Sequence, residues 1–385
     1  MRIAIYSEIY WPMVSGVALT LRRLVDALHA RGHVVRVYSP QYELPPGAVE
    51  RPEVHRSPGR PFFLAPDVQW ASPRVPDLIA DMREFQPQVV HLATEFAMGF
   101  PVLRASRALG LPIIASSHTD YEAYARPYGR WLVAAVRPGW TYLRWFYRHA
   151  HKVLCPTRVH EAHLHARGVH HTGIWTRGVN SEEFHPRFHS DAWRARFGIG
   201  PTDTLVTFVG RIAPEKNLNI LLDAWQRLAP MRGNAQLVLV GDGLLVDNIR
   251  ARQIPGIHLL GYLHGIELAT AYASSDVFAF PSGTETFGNV LLEAMASGTA
   301  PVCVNAGGPS DYGVQGVNAL MAPPNDVGAF TEQLARAIAE PALRRQIGEG
   351  ARQTAMSRRW DAIYDQLLDD YAETIADRRQ RRAAA

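Results

Sequence analysis

Two glutamates and two cations are the residues of this 385-residue sequence whose types and spacing best suit chemistry. Glu285 lies just after the apolar run 276–280, and Glu293 follows it within a second apolar stretch. Arg211 and Lys216 come directly after another apolar run. Carboxylates accept hydrogen bonds from hydroxyl groups, and paired cations stabilise phosphate oxygens on which negative charge builds up. The four side chains together suit a ligand that carries both hydroxyl and phosphate groups.

The sequence around the glutamates predicts a strand, a loop and a helix. Residues 276–280 are rich in aromatic side chains, which is typical of a buried parallel strand, and Pro281 ends the run. Apolar residues then recur at helical spacing, at Leu291, Ala294 and Met295. We therefore expect Glu285 on the loop and Glu293 two turns inside a helix that stops near Gly298. Loops at the carboxyl ends of parallel strands bind ligands in α/β proteins, and the first amides of the following helix favour an anion.

Neither pair of residues is diagnostic by itself. Glutamates at this spacing are commonly solvated, and Arg211 or Lys216 could instead form a surface salt bridge with Glu215. Glu293 argues against the surface interpretation because its neighbours on both sides are apolar, and burying a carboxylate without a partner costs free energy. A binding role for Glu293 is therefore favoured.

Two sequence elements point to a known family. The glutamates match an E-x-x-x-x-x-x-x-E signature, and the cations with the preceding glycine match a G-R-x-x-x-x-K element. In both, the chain resembles the retaining glycosyltransferases of the GT-B type. The resemblance implies that Glu285 binds the donor sugar and Glu293 the ribose of the nucleotide, and it assigns both cations, Arg211 and Lys216, to the donor phosphates. It also implies further donor-binding positions: Ser15, Gly16, Gly210, Gly241, Leu263, Phe287, Gly288, Asn289 and Val290.

A histidine at the end of another predicted strand extends the candidate site. His118 follows the predicted strand 111–117, although a histidine there can also be an ordinary polar loop residue. The resemblance implies that His118 lies in the acceptor half, next to the donor sugar. The segments 93–95 and 118–121 look most like the bacterial branch that transfers mannose, glucose or sulfoquinovose to glycolipids. The catalytic candidates are therefore His118, Arg211, Lys216 and Glu285.

The order of predicted elements indicates an α/β protein with two domains. At 385 residues the chain is too long for one ordinary domain, and predicted strands alternate with predicted helices in both halves. The resemblance implies a GT-B fold, in which two Rossmann-like, doubly wound domains face one another across a cleft. We expect an acceptor-binding domain at 1–186, a donor-binding domain at 187–359, and a helix at 360–385 that crosses back to the first domain and ends in a tail. Residues 41–76, with eight prolines, predict surface loops around one short strand.

Composition and the absence of certain sequence patterns restrict the class of protein further. Hydrophobic residues make up 47% of the chain, which is ample for two cores. Cys155 and Cys303 lie in different halves, which argues against a disulfide framework or a thiolate metal site and indicates a reducing compartment. Met1 leads straight into a strand-like run, and no stretch of about 18 apolar residues could span a bilayer. We expect a cytoplasmic protein.

No D-x-D element is placed as a metal clamp, so we expect neither a metal nor a cofactor.

A basic and aromatic segment lies between Glu122 and Glu161. It holds seven lysine or arginine residues and no acidic residue, with tryptophan and tyrosine interleaved. This mixture is typical of an interfacial membrane helix, where rings lie at headgroup level and cations meet anionic lipid. Two other interpretations stay open: a helix pair that packs its aromatic residues inward, and a surface for single-stranded nucleic acid, which is the least favoured. The candidates for an acceptor or membrane face are Arg126, Arg130, Trp131, Arg137, Trp140, Arg144, Trp145 and Arg148.

The residues and the resemblance together predict a retaining glycosyltransferase that moves a hexose from a nucleotide sugar to a lipid or glycan acceptor. GDP-mannose is the favoured donor because of the branch resemblance, and a UDP-hexose (glucose, galactose or sulfoquinovose) is the alternative. The family's favoured mechanism is a front-face displacement, in which the leaving diphosphate accepts the proton of the acceptor hydroxyl. Two other classes remain open, a nucleotide-sugar epimerase and a non-catalytic nucleotide-sugar binder. We expect peripheral contact with the inner face of an anionic cell membrane.

Overall fold

The computed structural model describes residues 1–13, 15–62 and 65–383. Its β-strands are β1 (Arg2–Tyr6), β2 (Val34–Pro40), β3 (Val54–Ser57), β4 (Arg60–Phe62), β5 (Ala65–Trp70), β6 (Val89–Leu92), β7 (Ile113–Ser116), β8 (Lys152–Cys155), β9 (Thr172–Ile174), β10 (Leu205–Val209), β11 (Gln236–Val240), β12 (Ile257–Gly261), β13 (Val277–Phe280), β14 (Ala300–Val304) and β15 (Leu320–Ala322). Its α-helices are α1 (Gly16–Ala30), α2 (Val75–Phe85), α3 (Gly99–Ala108), α4 (Tyr121–Ala125), α5 (Arg130–Val136), α6 (Gly139–Tyr147), α7 (Arg158–His165), α8 (Asp191–Ala195), α9 (Leu218–Arg227), α10 (Val246–Ala251), α11 (Gly265–Ala273), α12 (Asn289–Ala296), α13 (Pro309–Tyr312), α14 (Val327–Ala339), α15 (Pro341–Met356) and α16 (Trp360–Ala383). Short 3-10 turns lie at Arg126–Tyr128, Pro186–Phe188 and Pro214–Lys216. Strands and helices alternate in both halves of the chain, which confirms the predicted α/β class.

The chain divides into two compact units. Unit 1 contains residues 1–118, 138–176 and 361–385, and unit 2 contains residues 119–137 and 177–360. This division differs from the expected one because 119–137 and 177–186 group with unit 2. In the second of these stretches, Val179 and Phe184 are buried in the hydrophobic core of unit 2. The Val179 N–H also donates to the Arg358 carbonyl at 3.3 Å, which fixes the stretch to the same unit.

Unit 1 is built on a parallel sheet. Among the described residues it has seven strands in the order β3-β2-β1-β6-β7-β8-β9. The strand order reverses direction between β1 and β6, where Ile3 pairs with Val89. β6 and β7 are buried at every position, as expected for central strands of a parallel sheet with helices on both faces. Ser15 caps α1, because its Oγ accepts a hydrogen bond from the Ala18 N–H at 3.1 Å.

The last helix, α16, contributes to the core of unit 1. The Tyr371 hydroxyl lies 2.6 Å from Nδ1 of His91 in β6, and both side chains are fully buried. The Lys152 ammonium in β8 forms a salt bridge with Asp370 at 2.5 Å. A buried tyrosine ring with a satisfied hydroxyl stabilises this packing through both its apolar area and its hydrogen bond. The helix is therefore an integral element of unit 1.

Residues 41–76 contain more strand than the sequence predicts. The expectation of one short strand is wrong, because β3 pairs with β2 and β4 pairs with β5 in an antiparallel hairpin. The prolines in the sequence argue against strands, but proline is tolerated in edge strands and short hairpins where its missing N–H is not needed. Pro61 lies within β4 itself. Phe62 and Trp70 stack with ring centroids 4.1 Å apart, and this aromatic contact stabilises the hairpin.

Unit 2 repeats the doubly wound topology. Its described residues form a parallel sheet of six strands in the order β12-β11-β10-β13-β14-β15. β10 and β13 lie side by side where the strand order reverses, with Val206 paired to Val277. Both strands are buried throughout, and Phe208 and Phe278 belong to the hydrophobic core. Ligands bind at the carboxyl edge of such a reversal, and the loops that carry Arg211, Lys216 and Glu285 start there.

Candidate active site

The loops after β10 and β13 bring two predicted residues into contact. Lys216 ends the 3-10 turn after β10, and its Nζ forms a salt bridge with Glu285 Oε1. The Thr284 hydroxyl donates to the Glu215 carbonyl at 3.0 Å, which links the two loops a second time. Both side chains of the ion pair are largely buried, with 17% of Lys216 and 20% of Glu285 exposed. A cation suited to phosphate and a carboxylate suited to hydroxyls therefore lie side by side.

Arg211 lies on the same loop but has different partners. Its Nη2 donates to Glu215 Oε1 at 2.5 Å and to the Tyr124 hydroxyl at 3.1 Å. The ion pair with Glu215 that the sequence left open is therefore present, but it is no ordinary surface pair, since Glu215 is only 1% exposed. Burial lowers the pKa of Arg211, and the nearby Glu215 and Tyr124 raise it by more, so the net pKa lies above its usual value. About half of the Arg211 side chain stays exposed, so an anion can reach the guanidinium.

Two glycines after β14 hold the loop that carries Glu285. The Gly308 N–H donates to the Glu285 carbonyl at 2.6 Å. A Cβ on Gly308 would lie 2.2 Å from the Phe287 carbonyl oxygen, and one on Gly307 would lie 2.4 Å from the Glu285 carbonyl oxygen. Only glycine fits at either position. The Tyr312 hydroxyl adds a third support, because it donates to the Phe287 carbonyl at 3.1 Å.

The helix after this loop begins where an anion could meet its first amides. Gly288 adopts the left-handed conformation with φ 93° and precedes α12, whose first residues are Asn289 and Val290. The first amides of a helix have no acceptor within the helix, and the helix dipole favours negative charge near them. Three predicted donor-binding residues, Gly288, Asn289 and Val290, therefore lie at this helix start. Their contact with a donor stays a prediction.

Glu293 lies within α12, as the sequence predicts, although about one turn rather than two turns from the helix start at Asn289, and it has a partner. It is 8% exposed, and the Tyr272 hydroxyl donates to its Oε2 at 3.0 Å. Burial first, and then the neighbouring Glu293, raise the pKa of Tyr272 well above its usual value, so the hydroxyl keeps its proton. Tyr272 therefore holds the carboxylate in one orientation among the apolar residues that surround it.

Gly210, Gly241 and Leu263 follow the neighbouring strands β10, β11 and β12. The Gly241 N–H donates to the Gly261 carbonyl at 2.7 Å, and a Cβ on Gly241 would lie 2.0 Å from the Gly210 carbonyl oxygen. Leu263 is half-buried just beyond β12. The three residues thus lie along the same carboxyl edge as the cations and glutamates, and their assignment to a nucleotide stays a prediction.

The remaining predicted site residues belong to unit 1. Ser15 caps α1 and Gly16 is the first residue of that helix. His118 follows β7, where it is half-buried, and its ring packs edge-on against Trp175 with centroids 5.8 Å apart. Ser15 and His118 lie on the loops that follow β1 and β7, and Gly16 begins the helix after the first of these loops. Their roles in donor binding and catalysis stay predictions.

The basic and aromatic segment is shared between the units. Unit 2 holds Arg126, Arg130, Trp131 and Arg137, and unit 1 holds Trp140, Arg144, Trp145 and Arg148. Trp140 is only 7% exposed and its ring packs 4.6 Å from the Arg167 guanidinium, so its prediction as a surface residue is wrong. Phe146 and Tyr147 are buried on the same helix, which means that α6 turns its aromatic face inward. Trp131, by contrast, is 67% exposed, and the five arginines of the set are exposed as well.

Two structural features are absent from the described ranges 1–13, 15–62 and 65–383. In this part of the chain, no helix is both long and apolar enough to cross a lipid bilayer. Over the same residues, no group of three or more histidine, cysteine, aspartate and glutamate side chains is arranged to hold a metal ion.

Three tyrosines support the site and were not predicted. Tyr124 contacts Arg211, Tyr272 holds Glu293, and Tyr312 supports the glutamate loop. A buried tyrosine usually finds a partner for its hydroxyl, which is the one signal that the sequence offers. That signal does not name the partner, because Tyr272 and Tyr312 lie in helices separated along the chain from the residues that they contact.

Comparison with known proteins identifies the family. The family model described as Glycosyltransferase Family 4 matches residues 14–183, and the model described as Glycosyl transferases group 1 matches residues 189–354. The GDP-mannose-dependent alpha-mannosyltransferase of Mycolicibacterium smegmatis is 35% identical over 392 residues, covering 100% of both chains. The sulfoquinovosyl transferase of Arabidopsis thaliana is 34% identical over 307 residues, covering 77% of this chain and 58% of that protein.

A solved structure agrees on the fold. The sucrose-phosphate synthase from Thermosynechococcus elongatus superposes with a TM-score of 0.81 at 20% identity, covering 98% of this chain and 99% of that one. At this identity the likeness concerns the fold alone, and it matches the two doubly wound sheets described above. With the family models and the full-length relative, these findings show that the chain belongs to the group 1 and family 4 glycosyltransferases of the GT-B fold and is an enzyme of that class.

Proposed function

We propose that the protein transfers a mannosyl residue from GDP-mannose to a lipid or glycan acceptor, with retention of configuration and without a metal ion. The observation that carries the proposal is the group of two cations and two glutamates at the carboxyl edge of the unit 2 sheet. The choice of GDP-mannose is supported by the full-length relative named for that donor.

The contact between Lys216 and Glu285 fits the bond that is broken. In a nucleotide sugar, the glycosidic oxygen joins the hexose ring to the outer phosphate, so the groups that bind the hexose and that phosphate have to be neighbours. Glu285 accepts hydrogen bonds from hexose hydroxyls in this proposal, and Lys216 neutralises the phosphate. Donor binding then replaces their mutual ion pair with contacts to the ligand.

Charge stabilisation is assigned to Arg211, Lys216 and the first amides of α12. As the bond from the anomeric carbon to the phosphate oxygen breaks, negative charge builds up on the diphosphate, and groups already in place stabilise it. The acceptor oxygen bonds to the anomeric carbon on the same face, and its proton passes to the leaving diphosphate. Glu293 binds the ribose of the nucleotide, and His118 lies next to the donor sugar.

A second candidate reaction is transfer from a UDP-hexose to a glycolipid. It is supported by the likeness to the sulfoquinovosyl transferase, which covers most of this chain. Membership of a glycosyltransferase family argues against the epimerase and against a binder without activity. The two transferase candidates differ in the base and sugar of the donor, so donor binding separates them.

A thermal-shift panel tests the donor assignment. A ligand that binds only the folded protein stabilises it by about 2.7 kcal/mol at one hundred times its Kd. We expect GDP-mannose to raise the unfolding temperature more than UDP-glucose or ADP-glucose at equal concentration. A larger shift with UDP-glucose would overturn the GDP assignment in favour of the second candidate.

We also propose peripheral contact between the basic and aromatic segment and the cytoplasmic face of an anionic membrane. Exposed arginines occur on both sides of the unit boundary in this segment, and Trp131 presents an exposed indole ring. Arginine attracts anionic headgroups, and tryptophan favours the headgroup level of the bilayer. The buried Trp140 has no part in this surface.

Charge reversal at Arg137, Arg144 and Arg148 is expected to abolish binding to vesicles that contain anionic lipid. All three side chains are exposed, and each cation near such a surface contributes on the order of 1 kcal/mol, so reversing three of them converts attraction into repulsion. The triple glutamate variant should also lose transfer to a lipid acceptor while keeping its affinity for GDP. Vesicle sedimentation at rising salt concentration measures the first effect, because screening weakens surface attraction.

A matched control reverses three exposed arginines on other helices, Arg83, Arg227 and Arg345. The control changes the net charge by the same amount and should leave vesicle binding within twofold of the wild type, a margin of about 0.4 kcal/mol. If the Arg137, Arg144 and Arg148 variant still sediments with vesicles and glycosylates a lipid normally, the segment does not contact the membrane.

A further inference from the structure

Glu215 is a buried carboxylate with a separate partner for each oxygen. It lies in the 3-10 turn Pro214–Lys216 and is 1% exposed. Its Oε1 accepts from Arg211 Nη2 at 2.5 Å, and its Oε2 accepts from the Tyr128 hydroxyl at 2.6 Å. A buried charge is costly unless it is paired and hydrogen-bonded, and Glu215 meets both conditions through these two contacts.

Tyr124 completes the surroundings of the guanidinium. Its hydroxyl accepts from Arg211 Nη2 at 3.1 Å, and its ring centroid lies 5.8 Å from Arg211 Cζ. The rings of Tyr124 and Tyr128 stack with centroids 5.8 Å apart, so the two tyrosines form a stacked pair on the 119–137 segment. Arg211 is thus held by a carboxylate, a hydroxyl and an aromatic ring, while about half of its side chain remains exposed.

An arginine on a loop needs such support to stabilise charge efficiently. A free arginine side chain loses rotamer entropy if the guanidinium is ordered only when the ligand binds. A guanidinium already fixed by the protein loses less and needs little reorganisation during the reaction. The Arg211 pKa also lies above its usual value although burial lowers it, because Glu215 and Tyr124 favour the charged form.

We propose that Glu215 and Tyr128 are positioning residues that fix the Arg211 guanidinium for the donor diphosphate. This inference rests on the proposed function, which assigns Arg211 to the diphosphate. Glu215 sets the direction of the guanidinium through one oxygen, and Tyr128 fixes the carboxylate through the other. Two tyrosines of the basic and aromatic segment therefore serve the donor site of unit 2, which the charge pattern of the sequence does not reveal.

The Glu215→Gln variant should lose catalytic efficiency while staying folded. A glutamine is neutral and carries a donor NH2 group in place of one carboxylate oxygen, so the charged pair with Arg211 is lost and only one of the two positions can still accept. A displaced guanidinium is expected to lower kcat/KM for GDP-mannose on the order of tenfold to a hundredfold. Tyr128→Phe removes one hydroxyl and keeps the ring, and it should lower kcat/KM by about threefold to tenfold.

Glu340→Gln is the matched control. Glu340 pairs with Arg336 at 3.3 Å with the same spacing of four residues, but both side chains are about half exposed. Exposed pairs contribute little, so the control should keep its kcat/KM within twofold of the wild type. Thermal unfolding of every variant measures whether stability has changed. If Glu215→Gln does not fold, Tyr128→Phe still decides the question.

A double-mutant comparison separates positioning from a general structural role. In an Arg211→Ala background there is no guanidinium to position, so adding Glu215→Gln should change kcat/KM by less than about twofold. If Glu215→Gln lowers activity equally with and without Arg211, or if both Glu215→Gln and Tyr128→Phe match the wild type, the positioning role is wrong and the proposed function stands. If Arg211→Ala itself has wild-type activity, the assignment of Arg211 in the proposed function fails, and this inference fails with it.

Discussion

Alanine in place of Arg211 or Lys216 is expected to slow mannosyl transfer by about tenfold to a thousandfold, the range for removal of one preorganised charge-stabilising group. Both cations lie after β10 at the carboxyl edge of the unit 2 sheet, where the strand order reverses. Arg211 is half exposed beside a buried carboxylate, and Lys216 contacts Glu285. The diphosphate gains negative charge as the glycosidic bond breaks, so the loss should appear mainly in kcat.

Arg336→Ala is the control for this experiment. Arg336 also pairs with a glutamate four residues away, but it lies on α14 and both side chains are about half exposed. Initial rates at saturating GDP-mannose, measured with the same acceptor for every variant, give the comparison. Wild-type turnover in either Arg211→Ala or Lys216→Ala would mean that the residue forms only a structural ion pair.

Substitution of the two glutamates should separate transfer from nucleotide binding. Glu285→Gln is expected to lower transfer on the order of a hundredfold, because a neutral amide is a weaker acceptor for hexose hydroxyls and leaves Lys216 unpaired. Its affinity for GDP, which carries no hexose, should change little. Glu293→Gln should instead weaken GDP binding by roughly tenfold to a hundredfold, since a hydrogen bond to a charged group contributes about 1.5 to 3 kcal/mol.

Calorimetric titration with GDP and initial-rate measurements distinguish the two roles. Glu332→Gln, an exposed residue of α14, is the control for the loss of one negative charge. Unfolding temperatures should stay close to that of the wild type for Glu285→Gln, and Glu293→Gln should remain folded because the glutamine oxygen can still accept from Tyr272. Unchanged GDP affinity in Glu293→Gln would remove this residue from the nucleotide site.

The fold could be predicted because its strands are locally distinctive. The run 277–280 is apolar and aromatic, ends at a proline, and forms the buried strand β13. A parallel sheet covered on both faces needs such runs, and the helices between them show three-and-four spacing. Glu293 could be predicted as a binding residue from its sequence neighbours as well, since a carboxylate among apolar residues of a helix requires a partner.

The partners themselves could not be predicted. Tyr272 reaches Glu293 and Tyr128 reaches Glu215 only through tertiary packing, because the members of each pair are separated by many residues along the chain. Periodicity states which residues are buried but not which side chains meet. The grouping of 119–137 with unit 2 is of the same kind, since this segment lies in the chain between two strands of unit 1.

Trp140 illustrates the limit of composition as a guide. Arginines and tryptophans alternate through 124–148, and the average character of that stretch suggested one amphipathic surface. The helix α6 nevertheless buries Trp140, Leu143 and Phe146 and exposes Arg144, which lies one turn after Trp140 at the edge of the buried face. A cation such as Arg167, in the turn after α7, can then cover the buried ring.

The central claim, that this chain is a GDP-mannose-dependent mannosyltransferase, is tested most directly by a transfer reaction. The purified protein is incubated with radiolabelled GDP-mannose, or in parallel with a radiolabelled UDP-hexose, and with a lipid extract or an added glycan. Three quantities are measured: the label in the product, the nucleotide released, and the anomeric configuration of the new bond. We predict α-linked mannose in the lipid fraction or on an added glycan, in amounts equal to the GDP released, and no transfer by Lys216→Ala within the same time. Label transferred only from a UDP-hexose, or release of GDP without any glycosylated product, would contradict the account.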